Sequence, residues 1–312
     1  MRLAVPTPAS AAADSMPLLI AAFCLLWSSA FAVAKLALQD CPPLLLLVAR
    51  FLLTAGVMLG AAAAARAPWR FSWRDVAVFA LLGLVNNALY LGLNVTGMRS
   101  ISAGLAALIS SLNPVLTALL ATAFLGEQMT WRKALGLVLG VGGVAVIVEG
   151  RIADGTDASI GVVFSIAALI SLVGGTILFK RLAPNGGLWI GNGVQHLAGA
   201  FILLPLAFGI EPIADIVPSW RLLLALGYLG LLVSVIGYLI WFRLLAVVGA
   251  TTASAYHFLM PPLGMLFGWL LLGERVAWLD LVGVVPVALG IYLVTRPGNL
   301  NPAGTPPRRT SR

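Results

Sequence analysis

The sequence predicts an all-α integral membrane protein, with ten transmembrane helices built as a 5+5 inverted repeat. Three observations carry that prediction. Of 312 residues, 61% are hydrophobic and only 10% charged, and the apolar runs reach about 20 residues, enough to cross a hydrocarbon core as helix. Barrel strands would instead alternate over segments of about ten residues. Residues 102–149 and 249–296 carry one pattern twice, at a constant offset of 147 and with no gap. Finally, Lys and Arg gather on one side of the spans, which orients them.

The repeat is specific because of the residue types that recur. Leu112, Pro114, Leu116, Leu119, Leu125-Gly126-Glu127, Trp131, Gly136, Val138 and Gly143 return as Leu259, Pro261, Leu263, Leu266, Leu272-Gly273-Glu274, Trp278, Gly283, Val285 and Gly290. With Ala103/Ala250 and Ala106/Ala253 this makes thirteen identities in forty-eight positions. Leu and Ala match by chance in so apolar a chain. Pro, Gly-Glu and Trp together do not. An odd number of spans per half turns the second copy upside down, the build of many secondary transporters.

Apolar runs and flanking charges place the spans near 17–38, 43–64, 75–97, 102–124 and 131–149 in the first repeat (17–149). Those of the second repeat (159–296) fall near 159–180, 188–209, 220–243, 250–272 and 277–295. Residues 1–16 and 297–312 are Pro/Ala/Ser/Thr-rich tails expected to be disordered. The first run is too long for a signal-peptide core and lacks a cationic flank close to it. Residues 150–158 form a short linker between the repeats. Every loop is short, so no soluble domain is expected.

With the N-terminus inside, the inner segments hold thirteen basic residues, among them Arg66, Arg70, Arg74, Arg132, Lys133, Lys180, Arg181 and Arg243. The outer segments hold five, one each: Lys35, Arg99, Arg151, Arg221 and Arg275. Positive charge favours the cytoplasmic side, so both termini are expected in the cytoplasm and the 150–158 linker outside. Sixteen Arg against three Lys hint at a GC-rich bacterial genome, hence a multi-pass protein of the bacterial cell inner membrane.

The same residues exclude several function classes. The net charge of +8 is scattered between spans, with no context for reading a groove, so nucleic acid is excluded. Cys24 and Cys41 have no metal or redox spacing and read as small buried hydrophobes. No cofactor or metal motif occurs, and no phosphate-binding Gly-x-x-x-x-Gly-Lys-Ser/Thr loop, so this chain does not use ATP. An intramembrane enzyme would need a mid-span Asp pair, His-Glu-x-x-His, or a serine with a base in reach; of these only Ser and His occur mid-span, and the enzyme reading stays a minor alternative. No Asp or Glu lies mid-span, so the acidic relays of ion-driven pumps are missing too.

Polar groups near the bilayer midplane are costly and need a reason. Span one carries Trp27-Ser28-Ser29. Span three has Asn86, Tyr90 and Asn94 at i, i+4, i+8, with Asn87 beside them. Span four has Ser110, Ser111, Asn113 and Thr117. Span seven has Asn192, Gln195 and His196, span eight Ser234, Tyr238 and Trp241, and span nine Tyr256, His257 and Met260. Helical spacing puts each set on one face. Six such faces suggest a common cavity, although one Ser or Asn alone often serves only to bond a neighbouring helix.

Pro114 and Pro261 stand at equivalent points near mid-depth. Each removes a backbone donor, which is tolerated at that depth only inside protein or against a cavity. Paired breaks across an inverted repeat point to a binding site and to two hinges. Spans five and ten carry Gly136, Gly140, Gly143, Gly283 and Gly290 and few polar side chains, and read as peripheral braces. His196 and His257 are open to two readings, proton carrier or neutral cavity wall. So is Arg50, which either reaches outward to Asp40 or meets a substrate carboxylate. Glu127 and Glu274 sit at helix junctions, where they are expected to cap the next helix.

The ten-span layout and the paired Leu-Gly-Glu-x-x-x-Trp-x-x-x-x-Gly segments resemble the drug/metabolite transporter superfamily, EamA type. Trp27-Ser28-Ser29-Ala30-Phe31 is similar to that family's first-helix patch, though the family often has Gly after the Trp. Ala49-Arg50-Phe51 is similar to its second-helix arginine signature. The resemblance spans residues 17–296. It implies a central cavity ringed by spans one to four and six to nine, with spans five and ten outside, and export of amino acids, other metabolites or drugs. The aromatic, weakly charged cavity looks like the branch that exports aromatic and other apolar amino acids. The expected substrate is a small molecule, the expected surroundings the lipid bilayer, and a monomer suffices. A lipid flippase, scramblase or drug-efflux role on the same scaffold is the alternative.

Overall fold

The computed structural model describes residues 8–68, 71–125, 129–155, 157–182, 187–241, 243–244, 247 and 256–295. The side chains of residues 8–15, 125, 180, 188, 257 and 258 lie outside the described set. Every regular element among these residues is helical, and nine helices are long and apolar enough to cross a membrane. Span one is Pro8–Ala37, starting before the expected residue 17. Pro8 fits a first helical position, and Ala9, Ala11, Ala12 and Ala13 extend the helix by intrinsic preference. Span two is Pro43–Ala64 and span five Trp131–Ala153. Spans six, seven and ten are Ser159–Leu182, Leu188–Ile210 and Trp278–Thr295.

Spans three, four, eight and nine are not uniform helices. Spans three (Trp73–Gly97) and eight (Trp220–Trp241) each contain a wide segment with i→i+5 bonding, Gly83–Leu91 and Tyr228–Gly237. Span four breaks at Leu112 between Ala103–Ser111 and Asn113–Leu125. Span nine is described from Tyr256, as a tight turn to Leu259 followed by the helix Met260–Leu272. Residues 250–255, expected at its start, lie outside the described set. Leu112 (φ −71, ψ −3) and Leu259 (φ −80, ψ −15) share one backbone conformation and are 147 residues apart, so both breaks fall at the same point of the repeat.

Helix starts are closed by side chains. Ser72 and Asp75 form a capping box, and Ser102, Thr130 and Ser219 each accept a first-turn N–H, worth about 1 kcal/mol apiece. Glu211 takes the Leu44 and Leu45 N–H groups at 3.0 and 2.8 Å. Glu274 takes those of Ala103 and Gly104 at 2.6 and 3.0 Å. The expectation that Glu274 caps the following helix is thus corrected: it caps span four, because the inverted packing brings that N-terminus closer than its own. Glu127 lies outside the described residues.

The packing follows a pseudo-twofold. Span five lies along span ten, and span two along span seven. Span one packs on spans eight and nine, as span six packs on three and four, and span four meets span nine. Each contact maps onto another, or onto itself, when the halves are exchanged. The repeat also runs further back in the sequence than residue 102. Ser72-Trp73-Arg74 recurs as Ser219-Trp220-Arg221 and Leu82-Gly83-Leu84 as Leu229-Gly230-Leu231, at the same offset of 147. Trp73, Trp131, Trp220 and Trp278 are all exposed at helix starts, where indole suits the headgroup layer.

Candidate functional site

Where spans one, two, seven and eight meet, six rings form a continuous path. Phe51 meets His196 at 5.6 Å edge-on, and His196 meets Tyr238 at 6.2 Å. Tyr238 meets Trp27 at 5.7 Å, and Trp27 meets Phe23 at 5.1 Å. Phe23 stacks on Trp241 at 5.1 Å. Met260 is buried in the same cluster, with Tyr256 packed on it. Four of the anticipated residues (Trp27, His196, Tyr238, Trp241) therefore share one wall, joined by Tyr256 and Met260. Phe23 and Phe51 complete it and were not anticipated, because an apolar ring in a span carries no polarity signal. Phe23 does stand one helical turn before Trp27.

Arg50 enters this wall from span two. It is buried, and its Nε and Nη2 donate to Ser234 Oγ at 3.2 and 3.0 Å. It does not reach outward to Asp40, which is held instead by Arg221 and Ser219. The geometry thus turns Arg50 inward, toward Ser234 of span eight, and not outward to Asp40. The wide segment of span eight helps to place Ser234. Such a segment leaves a carbonyl without its usual i+4 partner, and Thr54 donates to Gly230 O at 3.2 Å while also bonding Arg50 O at 2.9 Å. In the wide segment of span three it is Val85 O that takes a hydroxyl, that of Ser171 at 2.8 Å.

The other polar residues sort into pairs. Gln195 Nε2 donates to Asn87 Oδ1 at 2.8 Å, and Asn94 Nδ2 to Ser110 Oγ at 3.3 Å. His196 Nδ1 lies 2.9 Å from Asn192 O, and the Asn192 amide contacts Met58 Sδ at 3.5 Å. Asn113 Oδ1 accepts from Thr117 Oγ1 at 3.1 Å within span four. Ser28 Oγ and Asn86 Oδ1 are buried with no hydrogen-bond partner among the described residues. Asn86 is turned toward span six: a Cβ at Gly175 would lie 1.8 Å from its Oδ1. The structure thus separates Asn86 from the ring path, while Tyr90 stays within electrostatic reach of Arg50 and Tyr238. The His257 side chain lies outside the described residues.

The two ends of the bundle differ. At the end holding the 150–158 linker, Arg151 donates to both Asp280 oxygens at 2.8 and 2.7 Å, to Ser102 at 2.6 Å and to Asp157 at 3.2 Å. Lys35 lies 3.8 Å from Glu274. Arg221 pairs with Asp40, whose carboxyl is held down at about 2 by hydrogen bonds from Arg221 and Ser219. Neighbouring Cys41 is pushed up to about 11 by burial and by the Glu211 and Asp40 charges. Residues 101–112 are buried throughout, whereas Asn113, Pro114 and residues 116–120 are only partly so. At the opposite end, Arg74, the counterpart of Arg221, makes a single bond to Leu182 O at 2.8 Å. A shallow recess beside Trp269, Gly273 and Arg275 also lies at the linker end, remote from the ring path, and its one carboxylate, Glu274, already caps span four.

Comparison with known proteins adds the following. A family model described as the EamA-like transporter family matches residues 15–149 and again 159–296. A probable terminal-alkyne amino-acid exporter of Streptantibioticus cattleyicolor is 33% identical over 292 residues, covering 91% of this chain and 95% of that protein. A probable amino-acid metabolite efflux pump of Escherichia coli is 26% identical over 279 residues, covering 86% and 90%. An uncharacterized transporter of Bacillus subtilis is 28% identical over 278 residues, covering 89% and 90%. One chain of known crystal structure superposes with a TM-score of 0.64 at 19% identity, over 90% of this chain and 96% of that one, a likeness of fold.

Proposed function

The chain belongs to the EamA-like transporter family, and on that premise we propose that it exports amino acids with aromatic or other apolar side chains. Transport of small metabolites through a multi-pass membrane protein, with no bond chemistry, is what the family and its relatives have in common. The observation that carries the finer reading is the ring path Phe51–His196–Tyr238–Trp27–Phe23–Trp241. Aromatic faces favour a flat or apolar side chain. Tyr90, Asn113, Ser28 and the Asn87–Gln195 pair offer hydrogen bonds to its polar end. The two relatives named for amino-acid export support the same substrate class.

In this reading the halves 17–149 and 159–296 rock against each other across the inner membrane of a bacterium, with both termini and residues 65–72 in the cytoplasm. The linker end is then the outer gate. Ion pairs close it, while the partly exposed residues past Leu112 face the cytoplasm, an arrangement suited to loading from inside. One chain contains both halves, so a monomer suffices. Reconstituted protein should move labelled phenylalanine, tyrosine and leucine out of inside-loaded liposomes, and the same assay with and without a proton gradient reports coupling. Failure to move any member of an apolar amino-acid panel would overturn the reading.

A further inference from the structure

Arg50 is a buried guanidinium within a bilayer-spanning bundle, and among the described residues no carboxylate pairs with it. The two N–H groups directed at Ser234 Oγ leave three of its five donors without a hydrogen-bond partner among the described residues. Every Asp and Glu side chain of the described set lies near one or the other end of the bundle, and the two beside the start of span two are engaged elsewhere. Asp40 is paired with Arg221, and Glu211 caps span two. Withdrawing a charge from water costs several kcal/mol per ion, and an intramembrane cation persists where it meets a partner in the transport path. Ser234 is neutral and cannot be that partner. It holds one edge of the guanidinium and leaves the Nη1 side free for a fork of two parallel bonds.

We propose that Arg50 binds the carboxylate of the transported molecule, with Ser234 and Thr54 as positioning residues, so that the substrate class is a monocarboxylate bearing an apolar or aromatic group. This rests on the transport reading above and narrows it. The ring of the substrate lies along Tyr238, His196 and Trp27, which adjoin Arg50 through Phe51 and through Ser234, one turn before Tyr238. The carboxylate is the selected group and the amine is not. A keto or plain carboxylic acid of the same shape is therefore accepted, and an amide or a decarboxylated amine is refused. A buried cation confronted with a second cation has nothing to pair with.

The test compares three ligands on the full-length protein in detergent, by quenching of intrinsic tryptophan fluorescence. Phenylalanine has both groups, phenylpropanoate lacks the amine, and phenylalaninamide lacks the carboxylate. The two acids should bind with similar affinity and the amide about ten- to a hundredfold more weakly, the scale of a lost charge-assisted bond. Arg50→Gln should bring the three affinities together, and Arg50→Lys should keep a reduced preference for the acids. The ligand comparison on the unaltered protein needs no variant to fold. Equal binding of acid and amide, or an acid preference surviving in Arg50→Gln, overturns the assignment. An intact acid preference without transport of any amino acid overturns the exporter reading and leaves Arg50 as a carboxylate site. Failure of all three to bind overturns both.

Discussion

Gly136 and Gly290 pack backbone to backbone: a Cβ on Gly136 would fall 2.6 Å from Gly290 O, and one on Gly290 would fall 2.5 Å from Gly136 O. The same relation links Gly143 and Gly283, at 2.6 and 2.8 Å. Gly283 is Gly136 plus the repeat offset, and Gly290 is Gly143 plus the same offset. Contacts that climb one helix while descending the other make spans five and ten antiparallel. Because those spans are equivalent members of the two repeats, the two glycine contacts together make the second repeat run inverted relative to the first. Close backbone approach also replaces the hydrophobic effect, which does not drive helix association within lipid.

This interface should fail selectively. Gly136→Leu forces the two helices apart, and overpacking of this kind costs about 1–3 kcal/mol. Gly142→Ala, on the same helix with nothing within 4 Å of its would-be Cβ, should be neutral. Thermal unfolding in detergent measures both. Equal melting temperatures for the two variants would show that the glycine seam does not hold the braces together.

A second prediction concerns the Arg151–Asp280 pair. Both residues are buried, at 7% and 1% exposure, and Arg151 also holds Asp157, so removing the arginine strands two carboxylates. Breaking such a pair costs about 3–5 kcal/mol, whereas replacing both partners by apolar residues is often neutral or better. Arg151→Met alone, which strands both Asp280 and Asp157, should therefore lower the melting temperature more than Arg151→Met combined with Asp280→Leu, which strands only Asp157. A double variant no more stable than the single one would show that the charges act independently.

Asp40 and Cys41 give a pH-dependent readout at the same end. The Asp40 carboxyl is depressed to about 2, so its contribution to stability is complete above the ordinary carboxyl range, near pH 4, and is lost as pH falls from there toward 2. Stability between pH 5 and 8 should not change on its account. Cys41, raised to about 11 by burial, Glu211 and Asp40, should react slowly with an impermeant maleimide at pH 7.4. Asp40→Asn removes both the Arg221 ion pair and the smaller of the two repelling charges, and labelling should speed up by about two- to threefold through the larger thiolate fraction. Unchanged labelling would mean that the Arg221–Asp40 pair does not keep this end closed.

The fold was largely legible because each of its determinants is local or periodic. Apolar runs mark the spans, Pro114 and Pro261 mark the breaks, and Leu-Gly-Glu…Trp marks the repeat. The repeat was read too short: Ser72-Trp73-Arg74 and Ser219-Trp220-Arg221 stand in register but outside the window with the most identities. The site was legible residue by residue and not as a constellation. Polarity at mid-depth located Asn87, Gln195, His196 and Ser234, but helical phase could not say that Asn86 turns to Gly175 while its neighbour Asn87 meets Gln195. The wide turns of spans three and eight shift that phase, and nothing in the residue types announces them. Arg50 had two equally open partners until the pairing of Asp40 with Arg221 was seen, a contact between residues 181 apart in sequence.

Topology can be checked at the linker. Asp154 is exposed, and unlike Gly155, with its φ of 67, it accepts a side chain without strain. A cysteine at Asp154 should be labelled by an impermeant reagent in intact cells, while one at Arg66, where the positive-charge count puts the cytoplasm, should not. The reverse pattern would turn the whole protein over and make the ion-paired end the inner gate.

The last prediction concerns the breaks at Leu112 and Leu259. Pro114 and Pro261 each lack the N–H that would continue the helix through the break, and the two sites are related by the pseudo-twofold. During alternating access, whatever span four does at one gate span nine does inverted at the other. Pro114→Ala restores a donor toward Ser110 O and stiffens the junction in span four, and Pro261→Ala does the same toward His257 O in span nine. The two substitutions should therefore push the balance between inward- and outward-open forms in opposite directions. Reversal of a hundredfold bias takes about 5.5 kcal/mol and a shift within it far less, so each effect should be visible as a several-fold change in population. Accessibility of single cysteines placed at the two gate mouths, at buried Leu105 on the linker side of the break and at half-buried Thr117 on the other, compared between the two variants, reports that balance. Both breaks moving it the same way, or neither moving it, would make them packing kinks, and the opposed-hinge mechanism would fall while the fold stood.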